Sequence, residues 1–156
     1  MKIAVVSDTH GAIARLESLK SVIDTCDALF FLGDGESDIK RVGGMFAAQI
    51  VAVRGNNDFR AYYDNDVIEE IGGVRFFLTH GHRYGVRMGL DTLLSCAKEN
   101  NCAFALFGHT HEAVIKDCGG ITLLNPGSLG YPYNAPPSYG IIEGDKDSLS
   151  SKIVFI

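Results

Sequence analysis

The chain has 156 residues, 46% of them apolar, 10% aromatic and 21% charged, with a net charge of −5 at neutral pH. That length suits one domain with a sizeable core and is short for two independent cores, so a single domain over residues 1–156 is expected. The composition excludes a disordered chain, and the acidic balance argues against broad electrostatic capture of nucleic acid or an anionic membrane.

In chain order, "KIAVVS" reads as a short buried strand. After "DTHG" comes "AIARLESLKSVIDTC", where Ile13, Leu16, Leu19, Val22 and Ile23 recur at the spacing of one helix. "ALFFLG" repeats the buried-strand signal, "SDIKRVGGMF" predicts a second helix crossed by Gly43 and Gly44, and "AQIVAVRG" is a third strand. Strands alternating with helices imply a parallel sheet with covered faces. The pattern then changes. "DVIEEIGGVRFFLTHG" and "EAVIKDCGGITLLNPG" are paired runs around Gly72-Gly73 and Gly119-Gly120, as in hairpins. Between them lie a helix, "GLDTLLSCAKENN", and another continuous apolar strand, "CAFALFG"; "YGIIEG" and "SKIVFI" are closing strands. The expectation is an α/β fold of about ten strands, in two packed sheets with helices outside.

The apolar part of "MKIAVVSDTHG" is too short for a signal peptide, and no apolar run approaches the about 18 residues of a membrane span. Cys26, Cys96, Cys102 and Cys118 form no C-x-x-C pair, which favours reduced thiols over disulfides or thiolate-metal ligation. A cytoplasmic protein without membrane contact is expected.

The chemistry gathers just past the apolar runs. Asp8 and His10 follow the first strand, Asp34 the second, and Asn56, Asn57 and Asp58 the third; His80 and His82 follow "VRFFLT", and His109 and His111 follow "CAFALF". All five histidines of the chain are in this set. Ligand sites of open α/β sheets lie at the carboxyl ends of strands, and two histidines one residue apart can face one spot if the strand's alternation continues. Carboxylate, imidazole and amide oxygen suit manganese, iron, zinc or nickel, and without clustered cysteines a structural zinc site is disfavoured. The groups exceed the needs of one ion. Two ions bridged by a carboxylate would use them, and Asp34 is the carboxylate offered immediately after the second strand.

The order D-x-H, GD, GNxD, HGH, GHTH is similar to that of the calcineurin-like metallophosphoesterase superfamily, and the small size resembles its YfcE-type phosphodiesterases. The resemblance runs from Met1 to about Ser128. It implies a four-layer fold, two mixed β-sheets flanked by helices. It also implies that Asp8, His10, Asp34 and His111 hold one ion, and that Asp34, Asn56, His80 and His109 hold the other. The expected cofactors are thus two divalent ions, manganese first among Mn, Ni, Zn, Fe and Mg. The expected reaction is hydrolysis of a phosphodiester, or of a phosphomonoester, by a hydroxide held between the ions, with a small phosphate ester as substrate. Asp34, Asn56 and His82 are the residues expected to act in catalysis, and a homodimer or larger assembly is an open expectation.

One departure matters: many larger members carry a histidine directly after the motif Asn, whereas Asn57 stands there, and Asn cannot act as a general acid. His82 has no ligand role in the resemblance and is weighed equally as a donor to substrate and as a turn residue. Asp58 is weighed equally as a residue orienting a ligand and as a turn residue or helix cap, while Asp38 is expected in the first turn of a helix. Ser128 in "NPGS" is balanced between phosphate contact and a turn. Arg54, Arg60 and Arg83 are expected to be solvated, and Tyr131 and Tyr133 to pack in the core or a loop rather than to line a pocket.

Two other functions compete. A protein-interaction scaffold, as in the retromer subunit that resembles this family, would be marked by lost ligands, yet all seven positions hold competent residues. A nuclease would need a strand-tracking basic groove, which the charge does not offer.

Overall fold

The computed structural model describes residues 1–59 and 62–156; Arg60 lies outside them. Its strands are β1 (Lys2–Val6), β2 (Ala28–Phe31), β3 (Gln49–Ala52), β4 (Asp66–Ile71), β5 (Val74–Thr79), β6 (Phe104–Leu106), β7 (Ala113–Asp117), β8 (Thr122–Pro126), β9 (Ser138–Glu143) and β10 (Ser150–Phe155). They form two mixed sheets of five, ordered β10-β9-β1-β2-β3 and β4-β5-β6-β8-β7. Each sheet has three parallel strands, β1-β2-β3 or β5-β6-β8, completed by antiparallel neighbours.

Strand alternation explains the layering. In β1, Ile3 and Val5 join a central core with Phe30, Phe76, Leu78, Phe104 and Leu106, while Ala4 and Val6 face the opposite way. Because both faces are covered, β1 and β2 are continuous apolar runs rather than alternating ones. The outer face of the first sheet is covered by Leu16 of α1 (Ile13–Ser18), Ile23 of α2 (Lys20–Ile23) and Ile39 of α3 (Glu36–Val42). Leu93 and Ala97 of α4 (Asp91–Glu99) cover Phe77, Ala105 and Leu123 on the second. Helix, sheet, sheet and helix make the four layers expected.

Two helices differ from the sequence reading. The single helix expected over residues 12–26 is divided at Leu19, where ψ is near zero, and Ser18 Oγ donates to Arg15 O at 2.7 Å. Such local side-chain bonds compete with the helical ladder, while Leu16, Leu19 and Ile23 keep the apolar face buried across the break. The second helix ends at Val42 and tightens into a 3-10 turn at Gly43–Met45, where glycine weakens helix propagation. Cys26, Cys96, Cys102 and Cys118 are free thiols. Among the described residues, no helix is long and apolar enough to cross a membrane.

The two sheets stack with their carboxyl ends at one edge, where loop backbones interlock. Asp8 N donates to Gly33 O, His10 N to Asp34 O, Gly108 N to His80 O and Gly130 N to Asp8 O, all at 2.9–3.1 Å.

Candidate metal centre

Two groups of donor atoms form at this edge: Asp8, His10 and His111, and Asp8, Asp34 and His80, each with its atoms within 4.8 Å of one another. Asn56 Oδ1 joins the second group, 3.1 Å from His80 Nε2. The His109 ring stands beside it, 5.2 Å from that of His80 between centroids. Asp8 is common to both groups. Asp34 also faces both, because its Oδ2 lies 3.7 Å from His10 Nε2 and 3.4 Å from His80 Nε2.

Hydrogen bonds identify the atoms left over for a cation. His80 Nδ1 lies 2.7 Å from Leu32 O, and His111 Nδ1 lies 2.6 Å from Tyr131 O. A carbonyl only accepts, so each Nδ1 carries the proton, and in the neutral ring each Nε2 presents a bare lone pair. His111 Nε2 points at Asp8 Oδ1 from 3.1 Å and at His10 Nε2 from 3.3 Å. Asp8 Oδ1 is buried without a hydrogen-bond partner, although Asp8 Oδ2 accepts from Ser7 Oγ at 2.5 Å and from the His109 amide at 3.1 Å. In the neutral rings of His80 and His111 two lone pairs converge beside an orphaned buried carboxylate oxygen, an arrangement that fits a cation.

The electrostatics call for positive charge here: burial opposes charge on His80, but Asp34 and Asp8 raise its pKa, and Asp8 raises that of His111. Burial opposes charge on Asp8, but His10, His111, His80 and Ser7 outweigh it and hold the carboxyl far below its usual range. Asp34 is likewise penalised by burial, yet His80 and the bonds from Asn57 bring it down to about 2. Both are therefore anions at neutral pH. Burial, with His80 and Arg87 nearby, pushes His109 down to about 4, keeping it neutral and able to ligate.

The backbone here is unusual. Of the seven non-glycine residues with positive φ among those described, five are Asp8, His10, Asp34, His109 and His111. This corrects the alternation argument: His109 and His111 stand on left-handed backbone rather than continued strand. They accordingly go to different places, His111 to Asp8 and His109 beside His80. Close approach also requires glycine at two motif positions. A Cβ at Gly55 would lie 2.0 Å from Asp34 Oδ1, and one at Gly108 would lie 2.0 Å from Ser7 Oγ and 2.7 Å from Asp8 Oδ2.

The remaining candidates divide. His82 follows the second group, its ring 5.5 Å from that of His80 and 6.1 Å from that of His109, with Nδ1 buried and unpartnered. Burial, then His80, lowers its pKa. Asn57 donates its amide N–H to Asp34 Oδ1 at 2.8 Å and its side-chain Nδ2–H to Oδ2 at 2.6 Å, so it orients that carboxylate. Ser128 is spent on backbone, donating to Asp8 O and accepting from Tyr131 N, both at 2.8 Å. Arg83 pairs with Asp66 at 3.6 Å, whereas Arg54, expected to be solvated, has its Nε buried without a hydrogen-bond partner. Tyr131 and Tyr133 are 66% and 60% exposed, contrary to the packed placement expected, because their loop is anchored by its backbone to Ser128 and His111. With Arg87, Thr110, His111 and Glu112 they line a groove of about 440 Å³ next to the centre. Asp38 and Asp58 lie outside both donor groups.

The sequence reading missed Ser7, the two carbonyls that set the imidazole tautomers, and the bonds of Asn57 to Asp34. Ser7 precedes the D-x-H motif and Asn57 adjoins Asn56, but no spacing rule reveals which neighbour such a side chain will bind.

YfcE, a phosphodiesterase of Escherichia coli K12, is 29% identical over 93% of this chain and 89% of its own length. The crystal structure of a predicted phosphoesterase of Streptococcus pneumoniae superposes with a TM-score of 0.86 at 30% identity, over 99% of this chain and 88% of that one. The zinc complex of Vps29 from Entamoeba histolytica shares the fold at 22% identity, with a TM-score of 0.76 over 99% of each chain. The calcineurin-like phosphoesterase superfamily domain matches residues 1–147 and therefore takes in every motif described above, so the chain belongs to that superfamily.

Proposed function

We propose that the protein is a cytoplasmic, single-domain, dinuclear-metal phosphoesterase hydrolysing phosphodiester bonds in a small ester, with phosphomonoesters the other class to test. The observation that carries this is the convergence of Asp8 Oδ1, Asp34 Oδ2 and the bare Nε2 atoms of His80 and His111 at the strand ends. Asp8, His10, Asp34 and His111 would hold one ion, and Asp34, Asn56, His80 and His109 the other, with manganese the first choice over Ni, Zn, Fe and Mg. When bound, such ions make a water nucleophilic near neutral pH and neutralise charge developing at phosphorus.

The chain's own residues do the rest. Asp34, kept ionised and oriented by Asn57, holds the two ligand sets in register. Asn56 fixes the His80 side of the pocket. His82, held neutral by burial, donates a hydrogen bond to a phosphoryl or leaving-group oxygen. The groove beside His111 takes one ester arm against Tyr131 and Tyr133, with Arg87 at its side. Asn57 supplies no proton, so good leaving groups depart faster.

The second reading is a protein-interaction scaffold of the same fold with little catalysis. The deciding experiment is metal analysis of the purified protein with turnover of mono- and diesters under added Mn, Ni, Zn and Mg. Two ions per chain with diester turnover are expected. Metal-replete protein that turns over nothing leaves the scaffold.

A further inference from the structure

We propose that Asp38 and Asp58 are positioning residues, whose carboxylates hold in place the left-handed backbone from which Asp8, His10 and Asp34 present their metal-binding atoms. The inference rests on the metal-centre reading above. It starts from a conformational cost: Asp8, His10 and Asp34 have φ of 53°, 44° and 56°. For an L residue this region costs roughly 1–2 kcal/mol, and it persists only where surrounding bonds over-determine it.

Asp58 supplies such bonds to the loop after β2. Its Oδ1 accepts the amides of Gly35 and Glu36, both at 2.9 Å, while Oδ2 accepts those of Asp34 at 2.8 Å and Gly55 at 2.7 Å. A carboxylate has about four acceptor positions, so all of its capacity goes to backbone. A simple turn residue binds amides of its own turn, which describes only the bond to Gly55. The other three reach 22–24 residues back along the chain and include the amide of Asp34 itself. Asp58 thereby ties the loop carrying Asp34 to the loop carrying Asn56.

Asp38 does the same for the loop after β1. It sits in the first turn of α3, only 4% exposed, and its Oδ2 accepts Thr9 Oγ1 at 2.6 Å and the Gly11 amide at 2.8 Å. Thr9 lies between Asp8 and His10, so this carboxylate fixes the turn that aims both. Neither Asp38 nor Asp58 offers an atom to either donor group.

The test is Asp58→Asn, an isosteric change that puts an NH₂ donor against backbone N–H donors. Asp24→Asn is the control, since Asp24 also accepts a backbone amide, that of Ala47, but on the surface. In folded Asp58→Asn, manganese affinity by competition titration should fall about 10–100-fold. The visible spectrum of the cobalt-substituted protein should change. In metal-free protein, amide exchange should accelerate at residues 34–36 but not in the strands, while Asp24→Asn should match wild type in all three. A second pair covers misfolding of Asp58→Asn: Thr9→Val should lose affinity, and Thr9→Ser, which keeps the hydroxyl, should retain it. Wild-type affinity and cobalt spectrum in both Asp58→Asn and Thr9→Val would overturn the proposal, as would equal affinity of the two Thr9 variants if Asp58→Asn does not fold. Wild-type protein that binds none of manganese, nickel, zinc, iron and magnesium would overturn the metal centre itself. Amide exchange would then decide the positioning role, with unchanged exchange in Asp58→Asn overturning it and acceleration at residues 34–36 supporting it.

Discussion

The first sheet sends Asp8, Asp34 and Asn56 to the shared edge along with one imidazole, His10, whereas the second sends His80, His82, His109 and His111 and, among the described residues, no carboxylate to either donor group. The two sides are also held in opposite ways. The oxygen donors are fixed by N–H and O–H groups: Ser7 and the His109 amide on Asp8 Oδ2, and the Asn57 amide on Asp34 Oδ1. His80 and His111 are fixed by carbonyls at Nδ1. Asp8, His80 and His111 are thus anchored by the end that faces away from the donor groups, whereas Asp34 is held at both oxygens, its Oδ2 accepting from Asn57 Nδ2 as well. The anchors neutralise little charge on the carboxylate side, so the first sheet carries the negative charge while the second sets direction and tautomer.

Removing charge should therefore hurt more than removing direction. Asp34→Ala, which strips a carboxylate facing both donor groups, should abolish tight binding of both ions and lower turnover at least on the order of 10²–10³-fold. Two ions per chain with unchanged rates would break the comparison at its strongest point. On the second sheet, His111→Ala should cost one group only. Metal analysis should read one tightly held ion per chain, and a loss of both would mean that the two sheets do not divide the work.

His82→Ala sharpens the contrast further, because it alters an imidazole outside the donor groups. It should keep both ions and lose on the order of 10²-fold in kcat, the typical cost of removing one hydrogen-bond donor to developing charge. Wild-type kcat with full metal content would remove His82 from the reaction. With Asn57 committed to Asp34, diesters of one retained group should hydrolyse faster as the leaving-group pKa falls, nitrophenyl ahead of alkyl. A flat series under rate-limiting chemistry would reveal a proton donor on one of the two sides. The smallest effect belongs to the groove: Tyr133→Ala should raise KM a few-fold for an aryl diester, by roughly 1 kcal/mol of lost aromatic contact, and leave metal content alone. An equal rise for a dimethyl-type ester would mean that the ring is not an arm contact.

Much of this is legible in the sequence. Continuous apolar runs such as "ALFFLG" and "CAFALFG" mark strands covered on both faces, and ten strands are observed where about ten were expected. The ends of those runs carry the polar motifs, and the residues there do converge. The single long first helix was less legible, because Ser18 and the buried Leu19 decide the break by contacts that periodicity does not encode. The exposure of Tyr131 and Tyr133 was illegible for a similar reason. Apolar character does not say which loop a backbone bond will hold at the surface.

The sequence by itself determined which residue types stand at which strand ends, because hydrophobic period and motif order are local properties of the chain. The tertiary structure decided how they meet. His109 and His111 part company because left-handed backbone, affordable only inside a network of fixed bonds, turns one toward His80 and the other toward Asp8. Asp38 and Asp58 became visible as supports for the same reason: the bonds of Asp38 to Thr9 and Gly11, and three of the four made by Asp58, span 22 to 29 residues. Pairings over that distance are set by the parallel pairing of β1, β2 and β3, which brings their following loops together and which no local pattern records.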